Sequence, residues 1–331
     1  MKINKYLSLV IALVIFTGSY LYITENTKKP EDVERPVKHV ADLDRDLSQN
    51  MKEIPNGFFI EPLPELGIQA KSVILINTQN GDILYNKNID KSLPVASMSK
   101  IMTELLVLEA IREKKISWDT LVSISDYVYA ISNHPGFASV HLTREQPYTV
   151  RELFDAMVIH SANGATIALA ETVAGSEKDF VIMMNEKANL LGLTQSTFVN
   201  TTGLSNSDLG NFYSTGSSQD TNSMSARDVA MLAKHLIEQF PEVLDVVKEP
   251  KVTLGQQTFS NTNWMLPDNN QANVSYEGVD GLKTGFTYEA GYCFAGTVKK
   301  DDLRLISVVM GASTKVTRFS ETKRLYEAVY E

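Results

Sequence analysis

The sequence has little of what several classes of protein require. Its 331 residues include one cysteine, Cys293, so no disulfide can form within the chain and the core must supply the stability. The five histidines are scattered, without the His-x-x-Glu-His spacing of a metal site, and no glycine-rich phosphate loop is present. The sequence therefore gives no support for chemistry that depends on a metal or a nucleotide.

Positive charge is also in short supply. Lysine and arginine total 31 against 40 acidic residues, a formal net charge of −9, and no basic block interrupts this balance. Such a surface argues against nucleic acid as a partner. The hydrophobic content of 43% is ordinary for a globular protein, and the chain is long enough to bury a sizeable core in one large or two modest domains.

The only long apolar run lies at the N-terminus. Lys2 and Lys5 precede an uncharged stretch over residues 7–23, which is typical of an export signal. Small residues at Thr17-Gly18-Ser19 offer a cleavage site, but the apolar stretch continues past them, which favours a retained membrane anchor. We expect residues 1–23 to be a signal peptide or anchor, 24–55 a solvated spacer, and 56–331 an extracytoplasmic domain.

Hydrophobic periodicity places strands at both ends of this domain and helices between them. Strands are predicted over 73–76 and 83–85, on either side of an Asn80-Gly81 turn, and over 279–287, 292–299 and 303–310. Helices are predicted after Ser97, from a capping box at Thr149 to about 159, over 164–174, after Ser225, and over about 318–330. This order predicts an α/β sandwich whose terminal strands form one antiparallel sheet with the helices on its flank.

Three short motifs follow one another along the chain. They are Ser97-Met98-Ser99-Lys100, Ser161-Ala162-Asn163 and Lys283-Thr284-Gly285. Singly they mean little, because residues 320–323 also fit the first pattern and residues 48–50 the second. Together, and in this order, they match the signature that serine β-lactamases share with penicillin-binding proteins.

The context of the first motif favours a nucleophile and its base. Ser97 directly precedes a predicted helix, and Lys100 falls one turn later on the same face. A serine needs a neighbouring base to attack a carbonyl group, and a buried lysine near other cations can be neutral enough to serve. The alternative is an ordinary N-cap serine followed by a solvent-facing lysine.

The second motif falls at the break between two predicted helices. There, Ser161 would relay a proton between Lys100, Ser97 and the leaving amine, and Asn163 would hold an amide oxygen of the substrate. A plain helix–helix connector is the alternative. A Ser–His pair with His160 is disfavoured, because neighbouring side chains at a helix end point apart.

The third motif lies on a predicted strand. Lys283 would supply positive charge, Thr284 would hydrogen-bond a substrate carboxylate, and Gly285 would allow the backbone to approach closely. The N–H groups of Phe286 and Ser97 would form an oxyanion hole. The alternative is an edge-strand lysine beside a turn glycine.

Residues 94–100, 161–163 and 279–287 resemble the low-molecular-mass penicillin-binding proteins, the serine D-alanyl-D-alanine carboxypeptidases. Residues 200–204, 225–228, 291–293 and 311–319 also resemble that family, so the similarity runs from about Gly57 to the C-terminus. It implies a β-lactamase/transpeptidase-like fold, an antiparallel five-stranded sheet flanked by helices with a helical subdomain. It also implies an acyl-serine intermediate, no metal or organic cofactor, peptidoglycan stem peptides ending in D-Ala-D-Ala as substrates, and β-lactams as acylating inhibitors.

The same resemblance implies a role for Arg318 and shows one position, Gly164, at which this sequence differs from the family pattern. Arg318 resembles the family arginine near the substrate carboxylate, and Cys293 is expected to be buried in the sheet. Gly164 stands where family members commonly have an aspartate, and the sequence predicts that Gly164→Asp keeps acylation within about tenfold. Many relatives continue into a β-rich domain and an amphipathic membrane helix, so we expect the N-terminal apolar segment to anchor this chain instead.

Three other functions remain open. A class A β-lactamase needs a glutamate that activates the deacylating water, and no Glu-x-x-Leu-Asn-like loop lies between Asn163 and Lys283. We therefore expect the acyl-enzyme formed with penicillin to be hydrolysed slowly. An endopeptidase differs from a carboxypeptidase in parts of the substrate on which the sequence is silent, and a non-catalytic cell-wall binding or sensing domain would keep the same fold.

Overall fold

The computed structural model describes residues 61–269 and 271–331. The predicted signal or anchor over 1–23 and the predicted spacer over 24–55 lie outside the described residues, as do the first residues of the predicted domain. Among the helices that the structure describes, none combines the length and apolar character needed to cross a membrane.

A five-stranded antiparallel sheet carries most of the strand residues. In chain order the strands are β1 Ser72–Asn77, β2 Ile83–Lys87, β3 Leu93–Pro94, β4 Leu121–Val122, β5 Tyr148–Thr149, β6 Ser223–Met224, β7 Lys251–Leu254, β8 Gln257–Ser260, β9 Val279–Thr287, β10 Gly291–Lys300 and β11 Leu303–Ala312. The large sheet has the order β2-β1-β11-β10-β9, and three two-stranded ribbons pair β3 with β6, β4 with β5 and β7 with β8. The predicted sheet of terminal strands is therefore confirmed, with β9 at one edge.

Nine helices are described between and after these strands. They are α1 Lys100–Arg112, α2 Asp126–Ser132, α3 Val150–His160, α4 Asn163–Ala174, α5 Glu177–Leu190, α6 Asn206–Leu209, α7 Ala226–Gln239, α8 Val243–Val247 and α9 Lys315–Tyr330. The predicted capping box is present: Thr149 Oγ1 accepts from the backbone N–H of Glu152, whose carboxylate accepts from the N–H of Thr149. Local side-chain signals thus fixed where α3 begins.

Two predicted boundaries were wrong by one turn or less. The helix expected directly after Ser97 begins at Lys100, because Ala96–Ser99 forms a 3₁₀ turn first. The last helix begins at Lys315 rather than 318, because the hydroxyl of Thr314 caps it by accepting from the N–H of Thr317.

The sheet separates two hydrophobic cores, and its side chains alternate between them. Ile74 and Val308 pack into the larger core with helices α1 to α5 and α7, whereas Val73 and Val309 pack into the smaller core against α9. The register pairs Val73 with Val309 and Ile74 with Val308, so the two-residue period of each strand sends matched pairs to the same face. Both faces of the sheet are therefore covered, as an α/β sandwich requires.

Candidate active site

The first motif places the amino group of a lysine beside a serine hydroxyl. Lys100 Nζ lies 3.0 Å from Ser97 Oγ, 2.7 Å from Asn163 Oδ1 and 2.7 Å from the carbonyl oxygen of Thr202. The amide and carbonyl oxygens can only accept hydrogen bonds. A neutral Lys100 amine would therefore keep its two N–H donors on Asn163 and Thr202, and its lone pair would face the hydroxyl of Ser97.

The surroundings favour that neutral amine. Lys100 is fully buried, and burial together with the positive charge of Lys283 lowers the pKa of Lys100 well below its ordinary value. Glu104 acts in the opposite direction but more weakly. The alternative interpretation, a solvent-facing lysine after an N-cap serine, does not fit this burial.

Two glycines hold the turn that carries Ser97. A Cβ atom on Gly203 would lie 1.9 Å from the carbonyl oxygen of Ala96, and one on Gly285 would lie 3.0 Å from that of Val95. Gly203 also has φ +79, a conformation that other residues rarely adopt. Ala96 itself has φ +48, so the residue before Ser97 is held in a strained conformation by close contacts on both sides.

The carbonyl group of Thr202 is fixed by two buried side chains. Asn200 Oδ1 accepts from the N–H groups of Thr202 and Gly203, and Glu177 Oε1 accepts from the N–H and hydroxyl of Thr201. Residues 200–204 carry part of the family resemblance, but nothing in their types showed that a backbone oxygen there would contact Lys100. This partner was therefore missed.

The second motif straddles a sharp change of direction. Ser161 ends α3 in the left-handed conformation, with φ +64, and Asn163 is the first residue of α4 rather than part of a break. Within the described part of the chain, the buried Ser161 hydroxyl makes no hydrogen bond. Ser161 is thus free for the predicted proton relay, while Asn163 Oδ1 is already committed to Lys100.

The third motif lies on the edge strand β9, against the turn Ala96–Ser99. Lys283 is 1% exposed, and its Nζ donates to the carbonyl oxygen of Thr284 at 3.1 Å. The hydroxyl of Thr284 lies 2.7 Å from that of Thr262. Burial lowers the pKa of Lys283 to about 8, although the carboxylate of Glu104 opposes this shift. The free edge of β9 leaves room for an extended peptide to lie beside it.

Phe286 on β9 and Arg318 on α9 both lie beside Tyr292, on the α9 face of the sheet. The Phe286 ring is 41% exposed and stacks on Tyr292, with ring centres 4.3 Å apart. Arg318 is buried, and its Nη1 donates to the carbonyl oxygens of Gly285 and Cys293. The guanidinium therefore braces β9 and β10 from α9, and its predicted contact with a substrate carboxylate stays a prediction. Cys293 is buried in the sheet, as expected.

One ionisable residue at this site was missed altogether. Glu104 follows Lys100 by one helical turn, is fully buried, and interacts with Lys100 and Lys283. Its signal in the sequence was a charged residue amid the apolar positions of a helix, a place where charge is rare. In the described residues, no cluster of histidine, cysteine and carboxylate side chains is arranged to hold a metal.

Solved structures place this fold in the penicillin-binding class. PBP3 of Streptococcus pneumoniae superposes with a TM-score of 0.75 at 40% identity, covering 79% of this chain and 73% of its own. Penicillin-binding protein D2 of Listeria monocytogenes, solved with cefotaxime bound, gives 0.69 at 35% identity, covering 81% of this chain and 100% of its own. The predicted fold class is confirmed.

The family model described as D-alanyl-D-alanine carboxypeptidase matches residues 60–314, and the chain belongs to that family. Carboxypeptidase DacF of Bacillus subtilis is 35% identical over 266 residues, and DacC of Escherichia coli is 35% identical over 274. These matches cover 80% and 82% of this chain, but 63% and 64% of the relatives. The chain thus spans less than two thirds of their length.

Proposed function

We propose that this protein is a serine D-alanyl-D-alanine carboxypeptidase, which removes the terminal D-alanine from peptidoglycan stem peptides through an acyl-serine intermediate. The observation that carries the proposal is the buried Lys100, whose Nζ lies 3.0 Å from Ser97 Oγ with two oxygen acceptors fixing its other directions. Membership of the carboxypeptidase family supports the choice of substrate.

Acylation begins when the neutral amine of Lys100 takes the proton of Ser97. The Ser97 oxygen then attacks the carbonyl carbon of the penultimate D-alanine, and the N–H groups of Ser97 and Phe286 stabilise the oxyanion. The C–N bond breaks, and the leaving amine of D-alanine receives the proton through Ser161. The products of this step are free D-alanine and a Ser97 ester.

Deacylation needs only water and the same base. Lys100 takes a proton from a water molecule, the water oxygen attacks the ester carbonyl, and the serine oxygen leaves with a proton. The shortened stem peptide departs as a carboxylic acid. In this scheme Lys283 and Thr284 hold the terminal carboxylate of the substrate, and Asn163 donates from its Nδ2 to an amide oxygen.

The same nucleophile is proposed to react with β-lactams. Two Listeria monocytogenes structures of penicillin-binding protein D2, one with cefotaxime and one with ampicillin bound, are 35% and 34% identical to this chain. Here a β-lactam ring would be opened by Ser97 to give the corresponding ester. The absence of the β-lactamase glutamate loop from the sequence leads us to expect slow hydrolysis of that ester.

We further propose that the domain acts outside the cytoplasm, held at the membrane by residues 1–23. The basic residues and the apolar run in that segment support this placement. Membrane fractionation and N-terminal sequencing of the protein expressed in bacteria test it. An intact N-terminus in the membrane fraction means an anchor, a shortened and released protein means a cleaved signal, and an intact protein in the cytosol contradicts the proposal.

The central experiment follows the intact mass of the purified full chain after mixing with benzylpenicillin, together with D-alanine release from a stem pentapeptide. We expect a one-to-one adduct on Ser97 that decays slowly, release of D-alanine, and neither in Ser97→Ala. Rapid loss of the adduct with penicillin consumed would instead indicate a β-lactamase. Stem-peptide binding without adduct or release would indicate a non-catalytic binding domain.

Endopeptidase activity is a second candidate. A D-alanyl-D-alanine endopeptidase of Pseudomonas aeruginosa is 30% identical over 276 residues, and the match covers 80% of both chains. Cross-linked peptide dimers incubated with the enzyme distinguish the two activities. Cleavage of the dimers at a rate similar to D-alanine release would add the endopeptidase function, and cleavage of pentapeptide alone would exclude it.

A further inference from the structure

A third ionisable side chain is buried beside the two lysines of the active site. Glu104 lies four residues after Lys100 on α1, on the same face of the helix, and has no exposed surface. Lys283, on β9, is 1% exposed and interacts electrostatically with Glu104. The site therefore buries two lysine side chains and one glutamate together, although the proposed reaction uses only the lysines.

Hydrogen bonding does not explain why Glu104 is tolerated there. Within residues 61–269 and 271–331, neither of its carboxylate oxygens accepts a hydrogen bond. A buried carboxylate without such bonds is costly unless it is neutral or balanced by a cation. The charged groups that act on Glu104 are Lys283, the stronger, and Lys100. Its interaction with the site is therefore electrostatic.

The balance of charge identifies what the carboxylate can do. The proposed reaction needs Lys100 neutral, as the base, and Lys283 charged, to hold the substrate carboxylate. With Glu104 ionised, that arrangement has no net charge among the three groups. Without the carboxylate it would leave an unbalanced ammonium in the core, beside the buried guanidinium of Arg318, which also lowers the pKa of Lys283.

We propose that Glu104 is a positioning residue that balances the charge of Lys283, so that Lys283 remains an ammonium while Lys100 serves as the neutral base. This inference rests on the proposed acyl-serine function and adds to it a residue outside the three motifs. Glu104 touches no reacting atom in this scheme and acts only through the two lysines.

Burial favours the neutral form of both groups, because it raises the pKa of Glu104 to about 8 and lowers the pKa of Lys283 to about 8. The two charges act in the opposite direction: Lys283 lowers the pKa of Glu104 and Glu104 raises the pKa of Lys283, so each stabilises the ionised form of the other. Burial, and more weakly the charge of Lys283, lower the pKa of His160 at the end of α3. Ionisable groups on the other helices packed against α1 have partners of their own: Glu177 with Thr201, Lys187 with Glu109, Asp228 with Ser196, and His235, which interacts with Glu109.

Removal of the carboxylate should shift the pH profile of acylation in one direction. Glu104 stabilises the ammonium form of both lysines, so its loss lowers both pKa values. The acidic limb of the acylation profile reports the deprotonation of Lys100, and the alkaline limb reports the loss of the proton from Lys283. Both limbs therefore move to lower pH when the carboxylate is absent.

The test is the pH profile of Ser97 acylation by benzylpenicillin, measured for the wild-type full chain and for Glu104→Gln. We expect both limbs of the variant profile to lie lower by about one pH unit or more. Glu104→Asp, which keeps a carboxylate, should retain a profile closer to the wild type. Glu109→Gln is the matched control: it is the same substitution on α1, at a residue paired with Lys187 instead of the active site.

Glu104→Met covers the case in which glutamine disturbs folding, because methionine fills a similar volume without a buried polar group. Thermal unfolding shows which variants are folded. Limbs unchanged in folded Gln or Met variants, with only a uniform loss of rate, would overturn the inference and leave Glu104 a structural role. Failure of the wild type itself to form an adduct would contradict the proposed function instead, so the two failures are distinguishable.

Discussion

Each face of the central sheet buries a carboxylate, but the two carboxylates differ in their hydrogen bonding. On the α9 side, the buried Glu321 accepts from the N–H groups of Gln69 and Ala70 at 2.7 and 3.1 Å, which ties the chain before β1 to the last helix. On the α1 side, the equally buried Glu104 accepts no hydrogen bond from any residue described. One carboxylate stabilises the fold, and the other lies among lysines that the proposed reaction needs.

The hydroxyl groups of the two faces differ in the same way. Ser307 Oγ and Tyr326 OH lie 2.7 Å apart and satisfy each other between the sheet and α9. Ser161, by contrast, has a buried hydroxyl with no partner within the described ranges and a backbone in the left-handed region. Unpaired polar groups and strained residues cost stability, and Glu104, Ser161 and Ala96 place both kinds on the face where chemistry is proposed.

Lys100→Met should have the largest effect on the comparison of the two faces, through the rate of acylation. The variant removes the proposed base from a fully buried position, so we expect acylation by benzylpenicillin to fall by about 10³-fold. The free energy of unfolding should fall by about 1–3 kcal/mol, because Asn163 Oδ1 and the carbonyl oxygen of Thr202 lose their buried donor. Adduct formation by mass and urea unfolding measure the two quantities; unchanged acylation would remove Lys100 from the mechanism.

Leu325→Ala should give the opposite pattern. Leu325 is fully buried in the core between the sheet and α9, so its truncation should cost about 3–4 kcal/mol of unfolding free energy. Acylation per folded molecule should remain at the wild-type rate, because Leu325 packs in the smaller core, whereas Met98 and Ile101 beside Ser97 and Lys100 pack in the larger one. If the rate instead fell in proportion to stability, the two faces would be mechanically coupled.

Gly164→Asp tests a close contact between α2 and α4 on the α1 side of the sheet, where both stability and acylation should be affected. A Cβ atom on Gly164 would lie 2.4 Å from Ser132 Cβ and 2.9 Å from Ser132 Cα, so α2 or α4 must move. We expect a cost of about 2–3 kcal/mol in unfolding free energy. Because Asn163 begins α4, acylation should also fall by more than the tenfold limit that the sequence suggested.

A double variant tests whether the contact with Ser132 causes these losses. Ser132→Gly removes the side-chain atom that the new Cβ meets, so Ser132→Gly combined with Gly164→Asp should recover part of the lost stability and rate. Additive losses in the double-mutant cycle would show that this contact is not the cause.

Glu321→Gln should have the smallest effect of the four. The amide keeps one acceptor oxygen but presents an NH₂ group to a backbone N–H, so one of the two hydrogen bonds is lost. We expect unfolding to become easier by about 1–2 kcal/mol, with the acylation profile unchanged at every pH. A displaced pH profile would show that carboxylates on either face influence the lysines, which would weaken the special role assigned to Glu104.

Much of the fold followed from local patterns in the sequence. The Asn80-Gly81 turn, the capping box at Thr149 and the alternating strands at the C-terminus each depend on residues close together in the chain, and the structure confirms all three. The 3₁₀ turn before α1 was missed because it depends on Gly203 and Gly285, which press on Ala96–Ser99 from distant parts of the sequence.

The sequence by itself determined the family, the order of elements and the three motifs, since these are properties of residue type and spacing. Only the tertiary structure decided the state of Lys100, the carbonyl partner at Thr202, the burial of Glu104 beside Lys283, and the absence of space at Gly164. The reason is physical: a pKa and a steric contact sum over every atom nearby, and those atoms come from strands and helices far apart in the chain.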